Sequence, residues 1–281
     1  MRLILSARYL VQGSLCVGAM RRRFGPSKRG SSVDWYGKRY PVSWCERQSH
    51  PNLSVDGKGY SMLIDSFAAP MFATNCWVIA TEPGAECVVI DPGMPDVSHQ
   101  LTELLEKHNL KPVAVIATHG HLDHTFSIQS VADGYGIASY IHSEDRAFLA
   151  NPEKLHGQEF IATLSGMSFA EPKDVRELRN AEVIDLVGLS FKAIHAPGHT
   201  RGSLMFEVSN EVLVSGDVLF AGSIGRTDLP TGSAKDMEET LRKKVVPLSD
   251  HLRVLPGHGP DTTMAQEKMN NPYLKSLVGR Y

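Results

Sequence analysis

From Met62 onward the chain alternates short apolar runs with stretches of helical spacing. Asn75 to Ala80 and Glu86 to Ile90 are apolar and partly β-branched, with Pro83-Gly84 between them, which predicts two strands joined by a turn. Val97 to His108 sets Val97, Leu101, Leu104 and Leu105 on one helical face. Val113 to Ala117 is a continuous apolar run and predicts a buried strand. A strand at Ala138 to Ile141 is flanked by helical stretches at Phe126 to Ala132 and Ser143 to Leu149, the second with Ser143 as its N-cap. Strands return at Glu182 to Leu186, Ser190 to His195, Ser203 to Val208, Glu211 to Ser215 and Arg253 to Leu255, with helices at Ala234 to Lys244 and Met264 to Asn270. Strands early in each half, with helices after most of them, predict two packed sheets with helices outside. Asn151 to Arg179 has the weakest pattern. It is long for a connection and reads as a lid or binding loop, whose Phe160, Leu164, Met167 and Phe169 wall a pocket or cover a sheet edge.

Residues 1–61 break this pattern. They carry eleven Lys/Arg against three Asp/Glu, while residues 62–281 carry 18 against 28. The basic segment reads as an organelle-type targeting segment, as a disordered arm, or as upstream sequence with Met62 the working start. The abrupt onset of patterned sequence at Met62 favours the last. The division is therefore a basic N-terminal extension, 1–61, and one domain, 62–281. An acidic body argues against nucleic acid as a partner. No apolar run reaches the ~18 residues of a membrane span. Cys16, Cys45, Cys76 and Cys87 include no close pair, so neither a disulfide framework nor a thiolate zinc site is indicated, and a cytoplasmic location fits. The sequence leaves the oligomeric state open.

The chemistry gathers after the Val113 to Ala117 strand. Thr118-His119-Gly120-His121-Leu122-Asp123-His124 holds three imidazoles and one carboxylate. Residues two apart on an extended segment point the same way, so His119 and His121 can grip one ion together. Asp123 and His124, at the mouth of a following helix, would face a second. Such donors suit Zn²⁺. A chance cluster of surface histidines is the competing reading, and the position directly after a buried strand disfavours it. Three later strand ends place a ligand-type residue beside glycine: His199, Asp217 and His258. Loops at strand ends are the usual home of catalytic groups. Together these are five histidines and two aspartates, a set that suits two divalent ions sharing one carboxylate. His195 reads as packed or hydrogen-bonded, and His108, His142, His156 and His251 as helix-end or loop residues.

The motif His119-x-His121-x-Asp123-His124, followed in order by His199, Asp217 and His258, resembles the metallo-β-lactamase-fold hydrolases over nearly all of 62–281. The resemblance implies an α/β, four-layer αβ/βα sandwich with metals at one edge. It implies His119, His121 and His199 on one ion, Asp123, His124 and His258 on the other, and Asp217 bridging. It also implies that Asp91 supports the ligand loop from behind. Gly216 to Asp228, and the ending Gly257 to Thr263 with Asn271-Pro272-Tyr273-Leu274, are similar to the glyoxalase II branch. That branch hydrolyses thioesters such as S-lactoylglutathione. The expected function is hydrolysis of a small-molecule thioester by a metal-bound hydroxide that Asp123 and Asp217 orient. Two ions would lower the pKa of a shared water from about 15.7 toward ~7. Zinc is the expected metal, with iron and manganese as alternatives. Arg226 and Ser223 are candidate substrate contacts; Arg226 can clamp a carboxylate through its planar fork or pair with Asp228. Glyoxalase II enzymes carry a C-terminal helical domain that binds glutathione, whereas only 23 residues follow His258, so recognition of the thiol carrier is expected to differ. The rival reading is an iron-dependent persulfide dioxygenase, which shares the fold and a similar Gly225-Arg226-Thr227-Asp228 segment.

Overall fold

The computed structural model describes residues 31–33, 39–41, 62–164 and 166–277. It divides into units of residues 1–44 and 45–281. Of the first unit, strands β1 (Ser31–Val33) and β2 (Arg39–Pro41) are described and pair antiparallel. The targeting, disordered-arm and late-start readings of 1–61 otherwise lie outside the described residues.

The second unit contains two six-stranded sheets. The first runs in the order β3 (Leu63–Ala68), β4 (Asn75–Ala80), β5 (Glu86–Ile90), β6 (Lys111–Ile116), β7 (Ala138–His142) and β8 (Val175–Leu178), with β5 to β8 parallel. The second holds β9 (Val183–Leu186), β10 (Leu189–His195), β11 (Leu204–Val208), β12 (Val212–Gly216), β15 (Arg253–Pro256) and β16 (Thr262–Thr263), in the order β16-β15-β12-β11-β10-β9. Between β12 and β15 in sequence lies a small hairpin, β13 (Leu219–Phe220) with β14 (Ser223–Ile224).

Strand alternation explains the layers. On β4, Trp77 and Ile79 point to one face, and Cys76, Val78 and Ala80 to the other. The same division separates Val88 and Ile90 from Cys87 and Val89 on β5, and Ala114 and Ile116 from Val115 on β6. Both faces are buried, which is why these strands read as unbroken apolar runs. The inner faces meet Phe191, Phe206 and Val214 of the second sheet. Each such fully buried side chain contributes about 1.5–3 kcal/mol.

The outer face of the first sheet is covered by α1 (Ser98–His108) and α3 (Ile128–Tyr135), through Leu101, Leu104, Leu105, Ile128 and Val131. The outer face of the second is covered by α7 (Ala234–Thr240) and its π-helical continuation Leu241–Val245, and by α8 (Met264–Asn270) and α9 (Pro272–Lys275). The expected four-layer αβ/βα sandwich is thus the observed architecture. Two short helices, α2 (Leu122–Thr125) and α4 (Ser143–Arg146), follow β6 and β7.

Some local expectations are corrected. The N-cap of α4 is His142, whose Nδ1 accepts from Glu144 N at 3.2 Å, not Ser143. The helix expected over Phe126 to Ala132 starts and ends later, at Ile128–Tyr135. The weakly patterned 151–179 region contains α5 (Glu153–His156), α6 (Gln158–Thr163) and the unforeseen edge strand β8. No helix among the described residues is long and apolar enough to cross a membrane.

Candidate metal centre

Strands β5, β6 and β7 run in one direction in the first sheet, and β10, β12 and β15 share a direction in the second. Asp91 follows β5, His119 to His124 follow β6, His199 follows β10, Asp217 follows β12 and His258 follows β15. All seven expected ligands and Asp91 therefore gather where strands end. Three overlapping clusters could each hold an ion: His119, His121 and His199; His119, His124 and Asp217; and Asp123, His124 and His258.

The geometry falls into two halves. His121 Nδ1 lies 3.0 Å from His119 Nε2 and 2.8 Å from His199 Nε2. On the other side, His124 Nε2 lies 3.2 Å from His258 Nε2, and Asp123 Oδ2 lies 3.3 Å from His258 and 3.5 Å from His124. Asp217 stands between the halves, with Oδ1 3.4 Å from His124 Nε2 and Oδ2 3.5 Å from both His199 and His258.

The outward ring nitrogens fix the tautomers. His124 Nδ1 donates to Asp91 Oδ2 at 2.9 Å. His199 Nδ1 donates to the Arg226 carbonyl at 2.8 Å. Thr118 Oγ1 donates to Asp91 Oδ2 at 2.6 Å, so it accepts from His119 Nδ1 at 3.1 Å. In its neutral, ligating form each of these rings turns a lone pair inward. The inward-facing atoms lie close enough together to share a cation. Asp217 Oδ1 is buried with no hydrogen-bond partner among the described residues, a cost that a cation would remove. The donor set of neutral imidazoles and carboxylates fits divalent zinc, iron or manganese.

The electrostatics of the chain itself follow the same division. Burial, then the neighbouring imidazoles, push His119 and His121 well below the ordinary histidine range. Burial also lowers His199. Neutral imidazole is the ligating form. Burial opposes charge on His124 as well, but Asp217, Asp123 and Asp91 raise it to about 10. His258 is raised by Asp217 and Asp123 against burial. Burial would raise Asp123, yet His124 and His258 hold it well below the usual carboxylate range.

The remaining candidates are placed as follows. Arg226 makes a two-pronged pair with Asp228, both bonds at 2.7 Å, while its carbonyl orients His199. Ser223 lies in β14, its carbonyl accepting from Asn271 Nδ2 at 3.0 Å. His195 stacks on His142 with ring centroids 4.2 Å apart, and its Nε2 bonds the Arg201 carbonyl at 2.7 Å. His156 accepts from Leu122 N at 2.9 Å, tying α5 to the ligand loop.

Several supports escaped the sequence. Thr74 Oγ1 donates to Asp123 Oδ2 at 3.0 Å. Asn75 Nδ2 and Trp77 Nε1 both donate to the Pro256 carbonyl, at 3.0 and 2.9 Å. These bonds fasten β4 of the first sheet to the His258 loop of the second. Nothing in their local sequence marks them, because each acts only once the two sheets meet.

Comparison with known proteins agrees with this geometry. The chain is 42% identical over 223 residues to an uncharacterized protein of Mycobacterium tuberculosis, covering 77% of this chain and 99% of that one. It is 33% identical over 216 residues to a Haemophilus influenzae protein named hydroxyacylglutathione hydrolase GloC, covering 76% of this chain and 99% of GloC. The crystal structure of the BLEG-1 B3 metallo-beta-lactamase is similar with a TM-score of 0.68 and 34% identity, over 75% of this chain and 99% of that one. Residues 69–258 match the family described as the Metallo-beta-lactamase superfamily. That span runs from the residue just after β3 to the last of the clustered histidines, and the chain belongs to this superfamily of metal-dependent hydrolases.

Proposed function

We propose that the chain hydrolyses a small thioester of the S-lactoylglutathione kind, a hydroxyacyl thiol, to the hydroxy acid and the free thiol. The observation that carries this reading is the GloC relative, which the chain spans over 99% of its length. The seven converging donors supply the chemistry. When bound, divalent ions there would provide Lewis acidity and a water acidic enough to ionise near neutral pH.

The chain's own groups divide the remaining work. Asp123 and His258 have side chains 19% and 17% exposed, against 0–3% for His124, Asp217 and His199. Substrate therefore approaches on the Asp123–His258 side, beside the Phe220 ring, which lies 6.1 Å from that of His258. Asp123, fixed by Thr74, and Asp217 would orient the attacking water, whose proton passes to solvent. The water oxygen bonds the acyl carbon, the carbon–sulfur bond breaks, and sulfur leaves with the electron pair. A thiolate is a good leaving group, so no strong acid has to be aimed at sulfur. Arg226, with Asp228 across its fork, and Ser223 are proposed to line the route of the thiol carrier.

The test is turnover against a panel of S-acyl glutathiones and other acyl thiols, with metal content measured on the same sample. Turnover lost together with metal in Asp217→Ala and His199→Ala is expected. Full activity with metal retained in either variant overturns the assignment. Oxygen uptake with glutathione persulfide and no thioester turnover would favour the dioxygenase reading. Hydrolysis of a β-lactam alone would favour the β-lactamase activity for which BLEG-1 is named.

A further inference from the structure

We propose that Asp145 is a positioning residue that sets the spacing between the His119–His121 loop and the His199 loop, and so decides whether the three-histidine cluster can hold its ion. Asp145 lies in α4, after β7, and is fully buried. Its Oδ2 accepts from Gly120 N at 2.8 Å and from Thr200 Oγ1 at 2.6 Å, and its Oδ1 accepts from Gly202 N at 2.9 Å. Gly120 lies between His119 and His121, while Thr200 follows His199. One carboxylate thus joins the ligand loop of the first sheet to the ligand loop of the second. The gap it spans is the one in which His121 Nδ1 and His199 Nε2 come within 2.8 Å.

The fit depends on a carboxylate. All three partners donate. Thr200 N donates to Ser203 Oγ at 3.0 Å, and the Ser203 hydroxyl lies 2.8 Å from Thr200 Oγ1. With the Thr200 proton committed to Asp145, the Ser203 hydroxyl donates back, and the network has one sense only. An amide in place of the carboxylate would offer a single acceptor oxygen and turn its NH₂ toward a backbone N–H or a hydroxyl proton. The approach is also too close for any side chain at Gly202, where a Cβ would stand 2.5 Å from Asp145 Cγ. Burial pushes the Asp145 carboxyl up, and the three donors offset this only in part.

This inference rests on the metal-centre reading, and the experiment separates the two. Full-length wild type, Asp145→Asn and Thr200→Val are loaded with Co²⁺ or Zn²⁺. The affinity of each ion is then read by chelator competition, with the Co²⁺ absorption spectrum reporting which ligand set changes. Asp145→Asn should lose about 10–100-fold in affinity for one of the ions, the range typical of supports behind ligands. The band of the three-histidine set should move while the other stays in place. Thr200→Val, which keeps both backbone bonds to Asp145, should shift the same ion by less, and it decides the matter if Asp145→Asn does not fold. Unchanged affinities, or an equal loss of both ions, would overturn the inference. A wild-type chain that binds neither ion would instead overturn the metal-centre reading.

Discussion

Asp91 Oδ2 stands 2.9 Å from His124 Nδ1 and 2.6 Å from Thr118 Oγ1, so a single buried oxygen orients His124 directly and His119 through the threonine. These two imidazoles belong to different halves of the centre. Asp91→Ala should therefore weaken both ions, by about 10–100-fold, in contrast to the one-sided loss expected at Asp145. Chelator competition on the variant checks it. A loss confined to the His124 side would show that the Thr118 relay carries nothing.

Gly257 precedes His258, and its bare Cα lets the chain pass close to the bridging carboxylate. A Cβ there would stand 2.1 Å from Asp217 Oδ1 and 2.7 Å from His124 Cε1. Gly257→Ala should displace Asp217 and cost metal and turnover together. Metal analysis and thioester turnover on one preparation provide the check. Wild-type values for both would mean the loop yields at no cost.

Metal binding should release protons. In the ion-free chain burial disfavours charge on His124, but Asp217, Asp123 and Asp91 raise it to about 10, and His258 is raised too. Near pH 7 an incoming cation must displace the His124 proton, so affinity should increase as pH rises through the neutral range. Calorimetry in buffers of different ionisation enthalpy measures the release. Binding heats that do not vary with the buffer would contradict this assignment of charge.

Away from the centre, Asp65 on β3 meets α1. Burial alone would raise its carboxyl, but bonds from Lys107, His108 and Ser66 outweigh this and hold it below its usual range. Lys107 Nζ and His108 Nε2 both lie 2.7 Å from Oδ2. The His108 side chain is 12% exposed against 49% for Lys107, so the histidine bond is the less screened. A lowered carboxyl contributes stability above its unfolded value of about 3.9 and loses it as pH falls through the folded value. Asp65→Asn should cost about 1–2 kcal/mol at neutral pH. That gap should close on acidification, as urea melts at several pH values would show. A gap that widens in acid would reverse the sign.

The sequence made the ligands legible because each one ends a strand: the His119 to His124 run after β6, then His199, Asp217 and His258. It made the layers legible because β4, β5 and β6 are apolar on both faces, as only a doubly covered sheet requires. Asp145 was not legible. Its partners are two backbone N–H groups and a hydroxyl, supplied by residues 120, 200 and 202, and no local pattern joins them. Edge strand β8 was missed because only Leu178 of its four residues is buried, leaving little alternation to read. The Ser143 cap was misplaced because His142 Nδ1 can accept from a backbone N–H as a hydroxyl does.

Whether the seven donors hold two ions is read from metal per chain after loading with zinc, iron or manganese, compared between wild type and His199→Ala. About two ions per wild-type chain are expected, as in two-metal hydrolytic sites, and fewer in the variant. A wild-type chain that stays metal-free with all three, or a variant that binds as many ions as wild type, would contradict this expectation.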